Sequence, residues 1–476
     1  MKRLHIGLIV VLSLLLIAAA GWGVIWYYAQ QNTVPEGVKA GGISLSGMDI
    51  DEAVHLLDQY EQTMKQRTVT VQANVTEESA KQWTAEQIGY KADYSKARAA
   101  LLQLEEGSIW DRAKYRYHFQ KDYPFEQSWD KDVFETAVKK EWGWVEQNEA
   151  KDATRTITDD DKVIYTPHTD AYRLNIEQLS TKVEPWLLSG AGAQPSSADQ
   201  AIKVELPISA VHPKVTLDAL KAEGIDRKII EFTTDFSTSA SGRAYNVTST
   251  AEALDGWELG PDEVFDYAQV VKKTEEQYGY KEAPVILNGK LVPGIGGGIC
   301  QVSSTLYNAV LRSGLEIVER RNHSLPVSYL PLGQDATFAS GAIDFRFKNN
   351  TGKKLIIRTE VKDRKLTVKL FGTMPDNIRY DIESVTVQTI APPVQQVGTT
   401  KLPAGVKQTV QQGKTGYIVE TYRTLVQDGK TVSREKVSRD TYKAQPTIVN
   451  VGSASGSITP AAPKDSGEPL LEDGIG

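Results

Sequence analysis

The sequence predicts an α+β chain of several domains behind one membrane-spanning helix, and three observations carry that prediction. At 476 residues, with 40% hydrophobic and 24% charged side chains, the chain exceeds one domain and can build several cores. Residues 6–28 form an apolar run without a charge, long enough to cross a bilayer. Behind it, strand patterns alternate with amphipathic helical stretches to about residue 372, and from there only strand patterns follow. The expected architecture is a transmembrane helix, a duplicated α+β domain, a second α+β domain and a small, extended all-β module.

Lys2 and Arg3 would stay cytoplasmic and place the rest of the chain outside the membrane, so residues 1–31 read as a cytoplasmic stub and single-pass anchor. A cleaved signal peptide is the rival, with Ala18, Ala19 and Ala20 as its small-residue site. The run continues past those alanines into Trp22, Trp26, Tyr27 and Tyr28, an interfacial aromatic belt that favours the uncleaved anchor. Either way the body is extracytoplasmic. A net charge of −7 without a basic run gives no support to nucleic-acid binding.

Residues 34–45 read as extended, with Gly41 and Gly42 turning, and Asp49 or Asp51 caps the helix that follows. Residues 68–75 alternate as a strand. Residues 89–102 and 171–187 echo each other: an aromatic strand ends at Asp93 or Asn175, which caps an amphipathic helix, and two copies imply a duplicated unit over 32–188. The intervening 110–144 reads as helical. His55, His118, His168 and His212 have no partner at metal-ligand spacing, so no metal and no cofactor are expected. Residues 189–200 form a small-residue linker or mobile loop; strands at 201–206 and 229–234 and a helix capped by Thr216 then open a domain spanning 201–372. Arg243 and Asn246 fall in a loop before a helix, and Asn288-Gly289 marks a hairpin.

The stretch 293–314, PGIGGGICQVSSTLYNAVLRSG, organises this domain around Cys300, the only cysteine. Gly296, Gly297 and Gly298 permit backbone conformations a side chain would forbid, and apolar residues at helical spacing from Val302 predict a helix that Gly314 stops. Cys300 then occupies the first helical turn, where free amides and the dipole favour a thiolate. Gly297, Gly298 and Ile299 could hold an oxyanion there. The competing reading is a small buried hydrophobe. A lone thiol outside the cytoplasm is an oxidation liability, which supports a reactive or intermolecular role. His323 is the candidate base and Asp335 its orienter, with Asp344 competing for that role and an ion pair with Arg320 or Arg321 the alternative use of Asp335. GIGGG lacks the Gly-Lys-Ser/Thr ending of a phosphate loop.

These blocks carry a resemblance. FSTS from Phe236, R-x-x-NV at Arg243, Asn246 and Val247, GYKEAP, GIGGGICQVSSTLYNAVL, ERRNHS and PLGQDAT follow the order of the VanW family. Some of its relatives are cysteine-dependent L,D-transpeptidases of peptidoglycan, and the matching cysteine is Cys300. The resemblance implies acyl transfer on stem peptides, His323 taking the thiol proton, with Arg243, Asn246, Gln301, Ser303 and Ser304 toward substrate. Arg243 is either a carboxylate clamp or half of an internal ion pair. The S-H-G-C block of the better-known L,D-transpeptidases is missing. The region before Gln200 is similar to a peptidoglycan-binding domain that often precedes VanW domains. Residues 378–452 resemble the G-five domain, an extended β-module associated with wall-sugar adhesion, whose hairpin is marked by Asp428-Gly429. Together these imply peptidoglycan stem peptides and glycan as partners, or alternatively a non-catalytic wall-binding scaffold associated with glycopeptide-resistance-type clusters. Residues 453–476 read as a disordered tail.

Overall fold

A computed structural model describes residues 2–74, 79–189, 200–287, 289–453 and 471–475, as a mixed α/β chain of two compact units. The helix Lys2–Ala29 matches the apolar run; it is long and apolar enough to cross a membrane, as a signal sequence would be.

The first unit comprises Met1–Asp152 and His168–Lys214. Asp49 caps the helix Ile50–Gln66 by accepting the amides of Asp51 and Glu52, which settles the choice between the two aspartates. Strand Thr68–Gln72 lies between Ala80–Thr84, antiparallel, and Ala201–Glu205, parallel, and the core gathers Val71, Phe134, Trp142 and Leu179. Both expected strand–helix pairs are present, as Tyr90–Asp93 before Ser95–Gln103 and Ala171–Leu174 before Ile176–Leu187. Asn175 accepts the amide of Gln178 as its helix cap.

Two expectations change here. Residues 201–214 belong with this unit and do not open the next domain, because Val204 pairs with Val71 and buries in the same core. Within 110–144, the helices Ile109–Tyr117 and Lys131–Trp142 are separated by strands Asp122–Tyr123 and Glu126–Trp129, so the segment is not helical throughout. Most of the linker expected at 189–200, and Val75, lie outside the described residues.

The second unit comprises Ala153–Pro167 and Val215–Gly476. Its first layer is an antiparallel sheet in the order Trp257–Leu259, Leu355–Lys362, Lys365–Gly372, Arg227–Asp235. The helix Ile299–Arg312 packs on it with every residue from Ile299 to Leu311 buried, and Gly314 at φ 74° ends it as expected. A hairpin joins Glu282–Leu287 to Lys290–Ile295 through Gly289; Asn288 lies outside the described residues.

The all-β module follows. Long strands Ile378–Ile390, Gly416–Gln427 and Lys430–Tyr442 form one sheet, and Val394–Thr399, Thr447–Gly452 and Lys407–Gln411 form another. Asp428 at φ 51° and Gly429 at φ 77° make the expected hairpin turn. Ile382 and Val437 pack against the core that holds Cys300. Residues 454–470 and 476 of the expected tail lie outside the described residues; of the rest, Leu471–Glu472 pairs antiparallel with Glu282–Leu287, matching Glu472 to Ile286.

Candidate functional site

The three glycines before Cys300 need their freedom, Gly296 at φ 87° and the next two for separate reasons. Gly298 sits at φ 109°, in the left-handed region, where a Cβ would stand 2.9 Å from Arg243 Cγ. A Cβ on Gly297 would lie 2.4 Å from the carbonyl oxygen of Pro284. This crowding sets the helix start against the hairpin. The helix begins at Ile299, so Cys300 stands in its first turn as the sequence predicts.

The thiol, however, differs from its expected state. Cys300 is 0% exposed, its Sγ receives the amide of Phe338 at 3.1 Å, and its own amide donates to Asp473 Oδ1 at 2.7 Å. Burial pushes the thiol well above its usual pKa range, and the Asp473 charge pushes the same way. The helix N-terminus would favour a thiolate, but a carboxylate already holds the amide that would stabilise it. Among the described residues no hydrogen bond joins Cys300 to His323.

The base and its orienter are brought together. His323 Nδ1 lies 2.6 Å from Asp335 Oδ2, which also accepts the His323 amide at 2.7 Å. His323 Nε2 is buried without a hydrogen-bond partner. Burial opposes the imidazolium, yet the Asp335 hydrogen bond and charge raise the ring's pKa above its ordinary value. Burial likewise opposes ionised Asp335, but the bond from His323, with the charges of His323 and Arg320, holds its carboxyl at about 2.

Tyr442, from the last long strand of the all-β module, donates its hydroxyl to Asp335 Oδ1 at 2.5 Å and accepts the Gly333 amide at 2.7 Å. Arg320 lies 3.5 Å from Asp335 Oδ1 and 2.6 Å from Asp440 Oδ1 of the same strand. Asp335 therefore orients His323 and meets Arg320 as well; the two readings were not alternatives. Asp344 is elsewhere. Burial and the neighbouring Asp266 carboxyl raise it to about 7, and its Oδ1 accepts the amides of Ala268 and Phe345.

Several residues expected to face substrate are occupied internally. Arg243 and Asn246 lie within the helix Ser241–Leu254, not in a loop before it. Asn246 is buried, donating to the carbonyls of Lys281 and Gly297. Ser303 donates to the Cys300 and Ala336 carbonyls, and Ser304 bonds both polar backbone atoms of Ala336. The amide of Ile299 is taken by Gly296, and its carbonyl accepts the Tyr267 hydroxyl at 2.6 Å. Arg243 does line a cleft, donating to Ser239 Oγ and Gln301 Oε1, each at 2.8 Å, with its guanidinium 5.7 Å from the Tyr329 ring. Gln301 lines the same cleft while its Nε2 bonds Thr234 and Asp235.

Sequence reasoning missed Tyr442, Glu472, Asp473 and the Phe338 amide. Glu472 Oε2 accepts the amide of Ser324 at 2.9 Å, next to His323. No local signal marks Tyr442, Glu472 and Asp473, because each reaches the site from far along the chain. It also missed a cluster in the first unit, where His168, Asp170 and His212 place ligand atoms within 4.8 Å of one another. Asp170 Oδ1 sits 2.8 Å from His212 Nδ1 and 3.5 Å from His168 Nε2, so these histidines do have partners.

Fold and site define a mixed α/β protein with a buried cysteine at a helix start, a histidine–aspartate pair, and a β-module bonded to that pair. Residues 242–371 match the family model described as VanW like protein, and residues 382–454 match that of the G5 domain. The chain is 40% identical over 177 residues to "Uncharacterized protein YoaR" of Bacillus subtilis (strain 168), covering 37% of this chain and 58% of that one. It is 29% identical over 153 residues to "Vancomycin B-type resistance protein VanW" of Enterococcus faecalis (strain ATCC 700802 / V583), covering 31% and 56%. The matches thus span less than two thirds of those relatives. Two solved structures are also similar in sequence. "IgA1 Protease G5 domain structure" shares 30% identity, covering 16% of this chain and 89% of that one at a TM-score of 0.14. "Crystal structure of HP0197-G5" shares 23%, covering 16% and 97% at 0.12. Those scores carry no structural argument. Over residues 242–371 the chain is similar to VanW like proteins, YoaR among them, and over residues 382–454 it is similar to the G5 domain.

Proposed function

We propose that this is a membrane-anchored, wall-facing protein whose VanW-like domain performs acyl transfer on peptidoglycan stem peptides through Cys300. The G5 module supports a place at the cell wall, and the apolar helix supports an anchor. One observation carries the catalytic part: His323 is fixed by Asp335 through Nδ1, while its buried Nε2 has no hydrogen-bond partner. A base needs that arrangement.

In this scheme the segment 471–475 first leaves the site. The Cys300 proton passes to His323 Nε2, and the sulfur attacks the carbonyl carbon before a terminal D-amino acid. The oxyanion takes the Cys300 amide that Asp473 now holds. Collapse breaks the peptide bond, and the leaving amine takes the proton from His323. An amine of a neighbouring stem then attacks the thioester, forming the cross-link and returning the thiol; water in its place gives a carboxypeptidase.

The second reading is a non-catalytic wall-binding scaffold, favoured by the complete burial and raised pKa of the Cys300 thiol. Disaccharide tetrapeptides incubated with the full chain should yield cross-linked dimers by mass spectrometry, and the Cys300→Ala protein should yield none. Equal yields from the two proteins would remove the catalytic reading and leave the scaffold.

A further inference from the structure

The segment 471–475 sits in the site as a bound peptide would. Its backbone pairs with the free side of strand Glu282–Leu287, the Asp473 amide donates to the Phe338 carbonyl at 3.2 Å, and the Ile475 amide to that of Ile295 at 3.0 Å. Backbone bonds of this kind accept many sequences; side-chain bonds select among them. Both side-chain anchors here are acidic, Asp473 on the Cys300 amide and Glu472 on the Ser324 amide and hydroxyl. Two successive carboxylates therefore meet the residue that carries the thiol and the neighbour of the residue that carries the imidazole.

The slot also continues beyond the segment. Ile286, Leu291 and Pro326 line both the cleft of about 470 Å³ that Asp473 borders and a second of about 770 Å³. The second is lined by Lys290, Lys414 and Lys443, a charge complementary to an acidic ligand. A Cβ on Gly474 would stand 2.7 Å from Val285 Cγ1, so the slot also demands a slim residue after the acid.

We propose that this groove is a binding slot for an extended acidic peptide, laid antiparallel on strand Glu282–Leu287 with a carboxylate on the Cys300 amide, and that 471–475 is its displaceable occupant. The proposal deepens the acyl-transfer reading by naming a ligand class of the same site, one that takes the Cys300 amide the oxyanion needs and so occludes the thiol, and it rests on that reading for what the slot serves. The tethered segment competes at high effective concentration, so an outside peptide binds weakly until the tether is loosened.

The test uses the full chain and its Glu472→Ala/Asp473→Ala variant, with a fluorescein-labelled synthetic peptide, Pro-Leu-Leu-Glu-Asp-Gly-Ile-Gly, corresponding to residues 469–476. The variant is expected to bind the peptide at least 10-fold more tightly than the unaltered chain. A Gln/Asn version of the peptide is expected to lose about 10-fold against the variant. Iodoacetamide should modify Cys300 at least 10-fold faster in the variant, and saturating peptide should restore the slow rate, which it could not do for a protein that had merely unfolded. No saturable binding to the variant, or equal binding of the acidic and neutral peptides, overturns the slot. Binding without cysteine-dependent dimers would sink the acyl-transfer reading alone, and dimers without binding would sink this one alone.

Discussion

Replacing Asp335 with Asn tests the pair on which the site is built. The substitution keeps the shape and removes the charge, leaving His323 and Arg320 buried with only Asp440 as an ion-pair partner for Arg320. Breaking a buried ion pair by removing one member costs about 3–5 kcal/mol, and the remaining Asn oxygen can keep one of the bonds now made by His323 and Tyr442. A loss of about 3 kcal/mol follows, equivalent to a roughly 150-fold larger open population. Cys300 is the single thiol and fully buried, so brief alkylation pulses across a urea gradient report opening of the second unit specifically. The effect should be largest near pH 6 and shrink as pH rises through the raised folded pKa of His323. A shift below about 0.5 kcal/mol at pH 6, or one independent of pH, would show that the pair does not hold this region together.

The remaining predictions use the same readout. Tyr442→Phe removes the hydroxyl that joins Asp335 to Gly333 and should cost about 1–2 kcal/mol, coupled with Asp335→Asn in a double-mutant cycle. Stability of the second unit should fall as pH rises from 6 to 8. His323 has a folded pKa above its unfolded value, so its contribution is complete below about 6.5 and lost as pH rises through the folded value. Asp344, raised to about 7, contributes in the same sense. Asp335 acts at the other end: its contribution is complete above about 4 and is lost as pH falls toward about 2. A urea midpoint that rises from pH 6 to 8 would contradict these assignments. Gly298→Ala should cost roughly 2 kcal/mol, from a left-handed φ of 109° and a Cβ 2.9 Å from Arg243 Cγ; a neutral effect would mean the loop relaxes freely.

Much of the local structure was legible in the residues themselves. The apolar run, the Asp49 and Asn175 caps, the helix from Ile299 to its stop at Gly314 and the Asp428-Gly429 turn all rest on interactions within a few residues. Chain order and residue type likewise marked Cys300, His323 and Asp335, and the histidine–aspartate bond is present. The loop expected around Arg243 and Asn246 is instead the helix Ser241–Leu254, an error of local reading. The internal bonds of Asn246, Ser303 and Ser304 were not legible for another reason, because their partners lie on distant segments that a linear pattern does not show.

The sequence by itself determined the succession of elements, the family blocks and the chemistry available at the site, since propensity, capping and periodicity act over short range. Only the tertiary structure decided the state of that chemistry. The carboxylate on the Cys300 amide comes from 173 residues away and the hydroxyl on Asp335 from 107, separations at which only packing of the whole unit determines which groups meet. Burial and that one carboxylate turn a helix-start cysteine, which in isolation favours a thiolate, into a buried neutral thiol.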